Sequence, residues 1–228
     1  MTDQDERGAA AVHLAMQALA LARRDRPDLF INVLDAIPDA IADLRYASAD
    51  NFVGTRIDGY EAPLCLLVRP AVEALAGVAA EARAEGLRLR LFDCYRPARA
   101  VAHFARWASD LADLSTREAY YPGMSKPQLF AEGYIAARSG HSRGATLDLT
   151  LVDAATGHDL DMGTPFDLFG PRSWPGSREV AAGQQANRRK LAMLMQRHGF
   201  VPFAMEWWHF TLADEPFPET YFDFPLAP

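Results

Sequence analysis

Cysteine is scarce in this chain of 228 residues, which contains only Cys65 and Cys94. Two cysteines are too few for a disulfide framework and too isolated for a cysteine-based zinc site. Both occur in apolar stretches that are typical of strands. We therefore expect them to be small hydrophobic residues of the core.

Basic residues are also in deficit, because 23 Lys and Arg stand against 30 Asp and Glu and the formal net charge is -7. No block of Lys and Arg is dense enough to follow the phosphates of a nucleic acid along the protein surface. We therefore expect no nucleic-acid partner.

Long hydrophobic runs are missing as well. The one candidate targeting segment, residues 9–22, is too short to span a bilayer. Acidic residues precede it and the basic pair Arg23 and Arg24 follows it, which is the reverse of the charge order in a secretory signal. We therefore expect a soluble, cytoplasmic protein without a membrane partner.

The chain nevertheless contains enough apolar residues for a substantial core. Hydrophobic residues make up 50% of the sequence, which at this length supports one sizeable core and does not clearly support two. An Ala- and Leu-rich stretch at residues 8–24 predicts a helix. We place an N-terminal helical extension at residues 1–30 and a single main domain at residues 31–228.

Strand and helix patterns do not alternate regularly along the main domain. Apolar runs predict strands at 88–93, 145–152, 200–204 and 207–212. Helical spacing predicts helices at 70–86, 97–111, 126–132 and 187–198, with Leu111 on the inward face of the second. Without regular βαβ alternation, the predicted class is α+β, a mostly antiparallel central sheet flanked by helices.

A histidine and an aspartate flank a glycine turn in the segment SGHSRGATLDLT, residues 139–150. The aspartate, Asp148, lies in the apolar run that predicts a buried strand. Burying an unpaired carboxylate costs several kcal/mol. Asp148 therefore needs a cation, a cluster of donors or a metal, and a metal is the partner that also uses His141.

A second fragment, EWWHF, places Glu206 three residues before His209 among bulky apolar residues. His141, Asp148 and His209 together provide two imidazoles and one carboxylate. Three such ligands with a fourth position left to water are the composition of a catalytic zinc site. Glu206 is then free to act as a base.

Side-chain alternation raises an objection to this grouping. His141 and Asp148 are an odd number of residues apart, so a continuous strand would direct them to opposite faces. Gly144 removes the objection, because a turn there assigns the histidine to a loop. Glu206 and His209 have the same parity, and we expect a bend or bulge between them.

Other polar residues have ordinary interpretations. Arg96, at the junction between a predicted strand and a predicted helix, can simply pair with Asp93. Asp167, in the segment MGTPFD, can cap a turn. Cys94 has no neighbouring histidine to act as its base, which argues against a nucleophilic role.

Two of these segments resemble the paired signatures of a known family. SGHSRGATLDLT is similar to S-x-H-x-x-G-x-x-x-D, and EWWHF to E-x-W-H, of the D-alanyl-D-alanine dipeptidases, the VanX-type branch of the zinc D,D-peptidases. Further similar segments, in the family's order, are LRYASADNF, DGYE, FDCYRPARAV, MGTPFD, NRRKL and YFDFP. The resemblance covers about residues 31–228 and not the first 30.

The resemblance implies roles for the reactive side chains. It implies that His141, Asp148 and His209 hold one Zn²⁺ per chain. It also implies that Glu206 is the general base and acid, and that Arg96 stabilises the tetrahedral oxyanion.

The resemblance also implies a small substrate pocket. Ser139, Tyr46 and Asp167 are similar to family residues that line the dipeptide pocket, with Asp167 facing the substrate ammonium. Cys94 stands where a small residue such as Gly or Ala is expected, and Thr146 precedes the Leu-Asp pair of the metal strand. Neither departure affects the expected ligands.

The function implied is the zinc-dependent hydrolysis of the dipeptide D-Ala-D-Ala to two D-alanine by a zinc dipeptidase domain at residues 31–228. One alternative is a related zinc D,D-carboxypeptidase or L,D-endopeptidase with an open cleft, against which Asp167 and the missing export signal argue. Another is a non-catalytic zinc peptide-binding module. Such a module would not need both Glu206 and Arg96.

Overall fold

The chain folds around a five-stranded sheet in which three of the four strand pairings are antiparallel. The computed structural model describes residues 3–227, with side chains described from residue 10 onward. The strands are β1 Phe30–Asn32, β2 Ile41–Ala42, β3 Leu66–Val68, β4 Leu87–Asp93, β5 Thr146–Asp153, β6 Phe200–Pro202 and β7 His209–Leu212. The helices are α1 Asp3–Leu21, α2 Val33–Ala36, α3 Arg69–Ala84, α4 Ala98–Ser109, α5 Arg117–Tyr120, α6 Lys126–Ala131 and α7 Ala182–Arg197.

The strand order in the main sheet is β2-β4-β5-β7-β6, and only β2 and β4 run parallel. Strands β1 and β3 form a separate antiparallel pair. Helix α3 packs on β4 and on α7, and α7 packs on β6. The predicted α+β class with a mostly antiparallel sheet is therefore confirmed.

The central strand β5 has an apolar and a polar side. Leu147, Leu149 and Leu151 alternate with Thr146, Asp148 and Thr150, and successive side chains of a strand point to opposite faces. All six residues are buried. The polar side chains therefore need hydrogen-bond or ionic partners inside the protein. The site described below lies on this polar side of β5.

The helices differ from their predicted bounds mainly at their ends. Helix α4 ends at Ser109, and Leu111 is 41% exposed, so its predicted inward position is wrong. The physical reason lies in Lys126, whose buried ammonium group donates to the carbonyl oxygens of Trp107 and Asp110. These bonds satisfy carbonyls at the helix terminus and turn the chain away.

The predicted N-terminal helix is present as α1, which begins and ends a few residues earlier than expected. Its small residues Ala11, Ala15 and Ala18 are buried, and the helix packs on α4 and α6. Phe30 belongs to the main core, with its ring against Tyr95. We keep the boundary at residue 30 as a proposal; residues 1, 2 and 228 lie outside the described range.

The two cysteines are buried as predicted, but they are not independent hydrophobic residues. Cys65 and Cys94 form a disulfide, with their Cα atoms 5.2 Å apart. Cys65 precedes β3 and Cys94 follows β4. The N–H of Tyr95 donates to the carbonyl of Leu66, so the two segments lie side by side. A separation of 29 residues in sequence concealed this proximity.

Across residues 3–227, the structure contains no helix that is both long enough and apolar enough to cross a bilayer.

Candidate functional site

The candidate site is built on one transverse row of the main sheet. Asp148 on β5 pairs with Asp93 on β4 and with His209 on β7, and directly paired residues project from the same face. The register of β4 shifts between Leu91 and Asp93. Because of this bulge, Asp93 and not Phe92 stands opposite Asp148. Two carboxylates and an imidazole therefore point the same way.

His141 reaches the row from a 3-10 turn, Gly140–Arg143, that ends at Gly144. Gly144 has φ +86, and a Cβ there would lie 2.3 Å from the ring of Phe30. Only glycine fits this turn. The Nδ1 of His141 lies 2.7 Å from the carbonyl oxygen of Cys94, so Nδ1–H donates to that carbonyl. Nε2 is then left with its lone pair facing the row.

Three donor groups converge at this point. Nε2 of His141 lies 3.4 Å from Oδ2 of Asp148 and 3.3 Å from Nδ1 of His209, and that Nδ1 lies 3.2 Å from Oδ1 of Asp148. Ligands about 2.0–2.2 Å from one tetrahedral zinc ion stand about 3.4 Å apart. Oδ1 of Asp148 is buried without a hydrogen bond. The donor set therefore fits a zinc ion.

The electrostatics agree with a cation site. Burial alone would raise the pKa of Asp148, but His141 and His209 hold that pKa below its ordinary value. Burial lowers the pKa of His209, which favours a neutral imidazole. A carboxylate beside a neutral imidazole is the protonation state that binds a metal.

Glu206 lies in the turn between β6 and β7, and its Oε2 is 3.5 Å from Nδ1 of His209. The expected bend between these two residues is present, since the predicted strand 207–212 begins only at His209. Burial raises the pKa of Glu206 well above its ordinary value, and the charges of Asp148 and Asp167 raise it further. Glu206 is thus a buried carboxyl beside the metal-type donors and outside their cluster.

Arg96 follows β4 and extends over the same row. Its Nε donates to Oδ2 of Asp93 at 2.9 Å, and its Nη2 lies 3.6 Å from Oδ2 of Asp148. The guanidinium also stacks on the rings of Tyr46 and Phe104. The predicted pairing with Asp93 is confirmed, and this pairing holds the cation at the site.

A cavity of about 270 Å³ opens over the row, which is at the small end of ligand pockets. Its aromatic walls include Phe52, Phe104 and Phe169. Of the residues predicted from the sequence, those that line it are Tyr46, Arg96, Ser139, Asp148, Asp167, Glu206 and His209. His141 stands behind this lining and is fully buried.

Asp167 is held in a strained backbone conformation in the cavity wall. It is 4% exposed, has φ +62 and accepts a hydrogen bond from the hydroxyl of Tyr46 at 2.9 Å. Burial raises its pKa well above the ordinary value. No Lys or Arg among residues 10–227 forms an ion pair with it. A non-glycine residue at positive φ in a cavity wall is typical of a functional position.

Arg188 fixes the loop that carries Asp167. This buried arginine on α7 donates to the carbonyls of Met162, Arg172 and Trp174 at 2.7–3.0 Å. A fourth bond reaches the hydroxyl of Thr164 at 3.3 Å. The loop is thus tied to the helix at both of its ends.

Comparison with known proteins gives a match over nearly the whole main domain. A family model described as D-ala-D-ala dipeptidase matches residues 28–227. The chain belongs to the D-Ala-D-Ala dipeptidase family. Relatives named D-alanyl-D-alanine dipeptidase include those of Streptomyces coelicolor, at 45% identity over 81% of this chain and 92% of the relative, and of Enterococcus faecium, at 40% over 81% and 91%. The relative of that name from Escherichia coli is 37% identical over 77% of this chain and 80% of its own.

Two residues that support the site of this D-Ala-D-Ala dipeptidase family member had no site role assigned from the sequence: Asp93 was expected only to pair with Arg96, and Tyr60 was not singled out. The hydroxyl of Tyr60 donates to Oδ1 of Asp93 at 2.6 Å, and Oδ2 of Asp93 lies 3.5 Å from Nδ1 of His141. Asp93 therefore orients Arg96, and its buried carboxyl lies beside the imidazole of His141. The signal was present in the segments DGYE and FDCYRP, but their 33-residue separation hid the contact.

Proposed function

We propose that this chain is a zinc-dependent dipeptidase that hydrolyses D-Ala-D-Ala to two molecules of D-alanine. The observation that carries the proposal is the convergence of His141, Asp148 and His209 beside Glu206 and Arg96 in one small cavity. The names of the similar relatives support the substrate. In this proposal a small dipeptide is the only partner that the site requires.

His141, Asp148 and His209 would hold one Zn²⁺. When bound, zinc polarises a carbonyl group and lowers the pKa of water toward neutrality. Glu206 takes the proton from the attacking water and delivers it to the nitrogen of the leaving D-alanine. Its raised pKa suits this exchange, because an acid-base group works best with a pKa near the operating pH.

Arg96 opposes the negative charge that develops on the carbonyl oxygen. Stabilisation of charge that exists only in the transition state raises turnover and not merely affinity. The bond from Nε to Asp93 fixes the guanidinium in advance. Its position therefore needs no rearrangement during the reaction.

Replacing Arg96 with Lys is expected to lower kcat by on the order of 10²-fold with little change in KM. Lysine keeps the charge but has neither the planar fork nor the Nε that donates to Asp93. Steady-state kinetics on D-Ala-D-Ala measure the effects on kcat and KM separately. A change in KM alone would assign Arg96 to binding of the substrate ground state.

Three residues are proposed to bind the dipeptide. Asp167, together with Tyr46, binds the ammonium group of the dipeptide. Ser139 contacts the dipeptide from the loop before His141. The hydroxyl oxygen of Ser139 accepts a bond from the N–H of His141 at 3.3 Å, so Ser139 also shapes the turn that carries this histidine.

A substrate panel combined with elemental analysis tests the function. The panel is D-Ala-D-Ala, N-acetyl-D-Ala-D-Ala, L-Ala-L-Ala and a pentapeptide ending in D-Ala-D-Ala. We expect one zinc per chain and release of free alanine from D-Ala-D-Ala alone. Chelation should abolish the activity, and added zinc should restore it.

The other outcomes separate the alternatives. Cleavage of the pentapeptide would favour a carboxypeptidase, although a cavity of about 270 Å³ suits a dipeptide better. Zinc without hydrolysis of any peptide would favour a binding module. Activity without zinc would overturn the metal assignment.

We also propose that the enzyme works in the cytoplasm, as expected from its sequence. The Cys65–Cys94 disulfide argues in the other direction, because structural disulfides persist mainly in oxidising compartments. Cell fractionation with antibody detection decides between the two.

A further inference from the structure

Two arginines line the cavity, and among the described side chains only Arg96 has a carboxylate partner. The wall carries the carboxyl groups of Asp148, Asp167 and Glu206 and the guanidinium groups of Arg96 and Arg138. Arg96 is engaged by Asp93 and Asp148. Among residues 10–227, no Asp or Glu forms an ion pair with Arg138. The cavity therefore contains a cation whose charge is not matched by any carboxylate of residues 10–227.

Arg138 is held in place by an aromatic ring. Its Cζ lies 5.3 Å from the centre of the Tyr221 ring. A guanidinium stacked on an aromatic face keeps the N–H donors at its edge available. Arg143 approaches the same ring at 5.8 Å but is paired with Glu215 at 2.7 Å. Of these two neighbouring arginines, Arg138 is the one that lines the cavity.

The free dipeptide carries a charge at each end. Asp167 lies on the loop held by Arg188, whereas Arg138 lies on the separate loop that leads into Ser139, Gly140 and His141. Ser139 and Gly140 also line the cavity. A loop carboxyl and a loop guanidinium thus line the same cavity as the metal-type donors Asp148 and His209. A lining with both groups suits a short zwitterion that carries a charge at each end.

We propose that Arg138 binds the C-terminal carboxylate of the substrate and thereby selects peptides that end one residue beyond the scissile bond. Arginine suits this task, because its parallel N–H groups match the two oxygens of a carboxylate. The inference rests on the proposed dipeptidase function and adds a second specificity element to Asp167.

The test compares D-Ala-D-Ala with its C-terminal amide. The wild-type enzyme should prefer the free acid by about 10- to 100-fold in kcat/KM, the range of a charge-assisted hydrogen bond. Arg138→Gln should remove most of this preference, mainly through a higher KM for the acid, and should leave kinetics on the amide nearly unchanged. Arg138→Lys should retain part of the preference.

Arg189→Gln is the matched control, because Arg189 is exposed on α7 and does not line the cavity. It should behave as the wild type does. Thermal melts should show equal stability of all variants, since Arg138 is exposed.

Two results would overturn the inference while the function stands. The first is an acid-to-amide ratio in Arg138→Gln equal to that of the wild type. The second is an equal loss on both substrates, which would assign Arg138 to the shape of its loop. A wild-type enzyme that hydrolyses neither substrate would instead refute the proposed function, and the inference with it.

Discussion

Replacing Glu206 with Gln is expected to lower kcat on D-Ala-D-Ala by on the order of 10²–10⁴-fold while the metal stays bound. Glutamine has nearly the same shape but cannot accept and return a proton. The three-donor cluster does not include Glu206. Its loss should therefore affect the chemical step and not metal affinity. Fixed-time assays of alanine release test the loss of turnover. The zinc content of the same samples tests whether the metal is retained.

Glu219→Gln serves as the control for this change. Glu219 is exposed and does not line the cavity, so this variant should keep wild-type turnover and zinc content. If Glu206→Gln loses its zinc, Glu206 is a ligand and its assignment as the acid-base group is wrong. If that variant keeps full turnover, another group carries the proton.

Removing the substrate's ammonium group by N-acetylation is expected to cost on the order of 2–5 kcal/mol in kcat/KM. Asp167 is buried, and among the described residues its hydrogen-bond partner is a neutral hydroxyl, that of Tyr46. An acetylated dipeptide offers no cation and adds bulk at this wall. The buried Asp167 carboxyl would then face the substrate without a cation as its partner. Parallel kinetics on the free and acetylated dipeptides measure the cost.

Asp167→Asn tests the residue behind that effect. It should weaken hydrolysis of D-Ala-D-Ala and narrow its advantage over the acetylated substrate, whereas the exposed control Asp214→Asn should change neither. Equal cleavage of both substrates by the wild-type enzyme would show that Asp167 does not bind the ammonium. The carboxypeptidase alternative would then become the better one.

Local sequence patterns predicted the parts of the site that depend on short-range structure. The apolar run around Asp148 identified β5, and the parity of His141 and Asp148 required the turn that Gly144 makes. The parity of Glu206 and His209 required the bend before β7. These inferences succeeded because strand alternation and glycine turns each depend on residues that lie close together in the sequence.

The same local patterns did not predict contacts between strands that are distant in the sequence. The pairing of Cys65 with Cys94, and the position of Asp93 beside Asp148, depend on which residues of two strands stand opposite each other. Register is set by the whole sheet, and a bulge such as the one before Asp93 has no clear local signal. The predicted position of Leu111 was wrong for a related reason. Helix α4 ends where Lys126, a residue distant in sequence, donates a hydrogen bond to the carbonyl of Trp107.

The row formed by Asp93, Asp148 and His209 makes the site tolerant of some changes in length and intolerant of others. An insertion in the turn at residues 203–208 leaves the row itself intact but displaces Glu206, which lies in that turn. One extra residue within β5 or β7 would direct the following side chains to the opposite face. During evolutionary drift, only loops that carry no site residue are therefore free to grow or shrink. A change in length inside one strand needs a compensating change in each neighbouring strand.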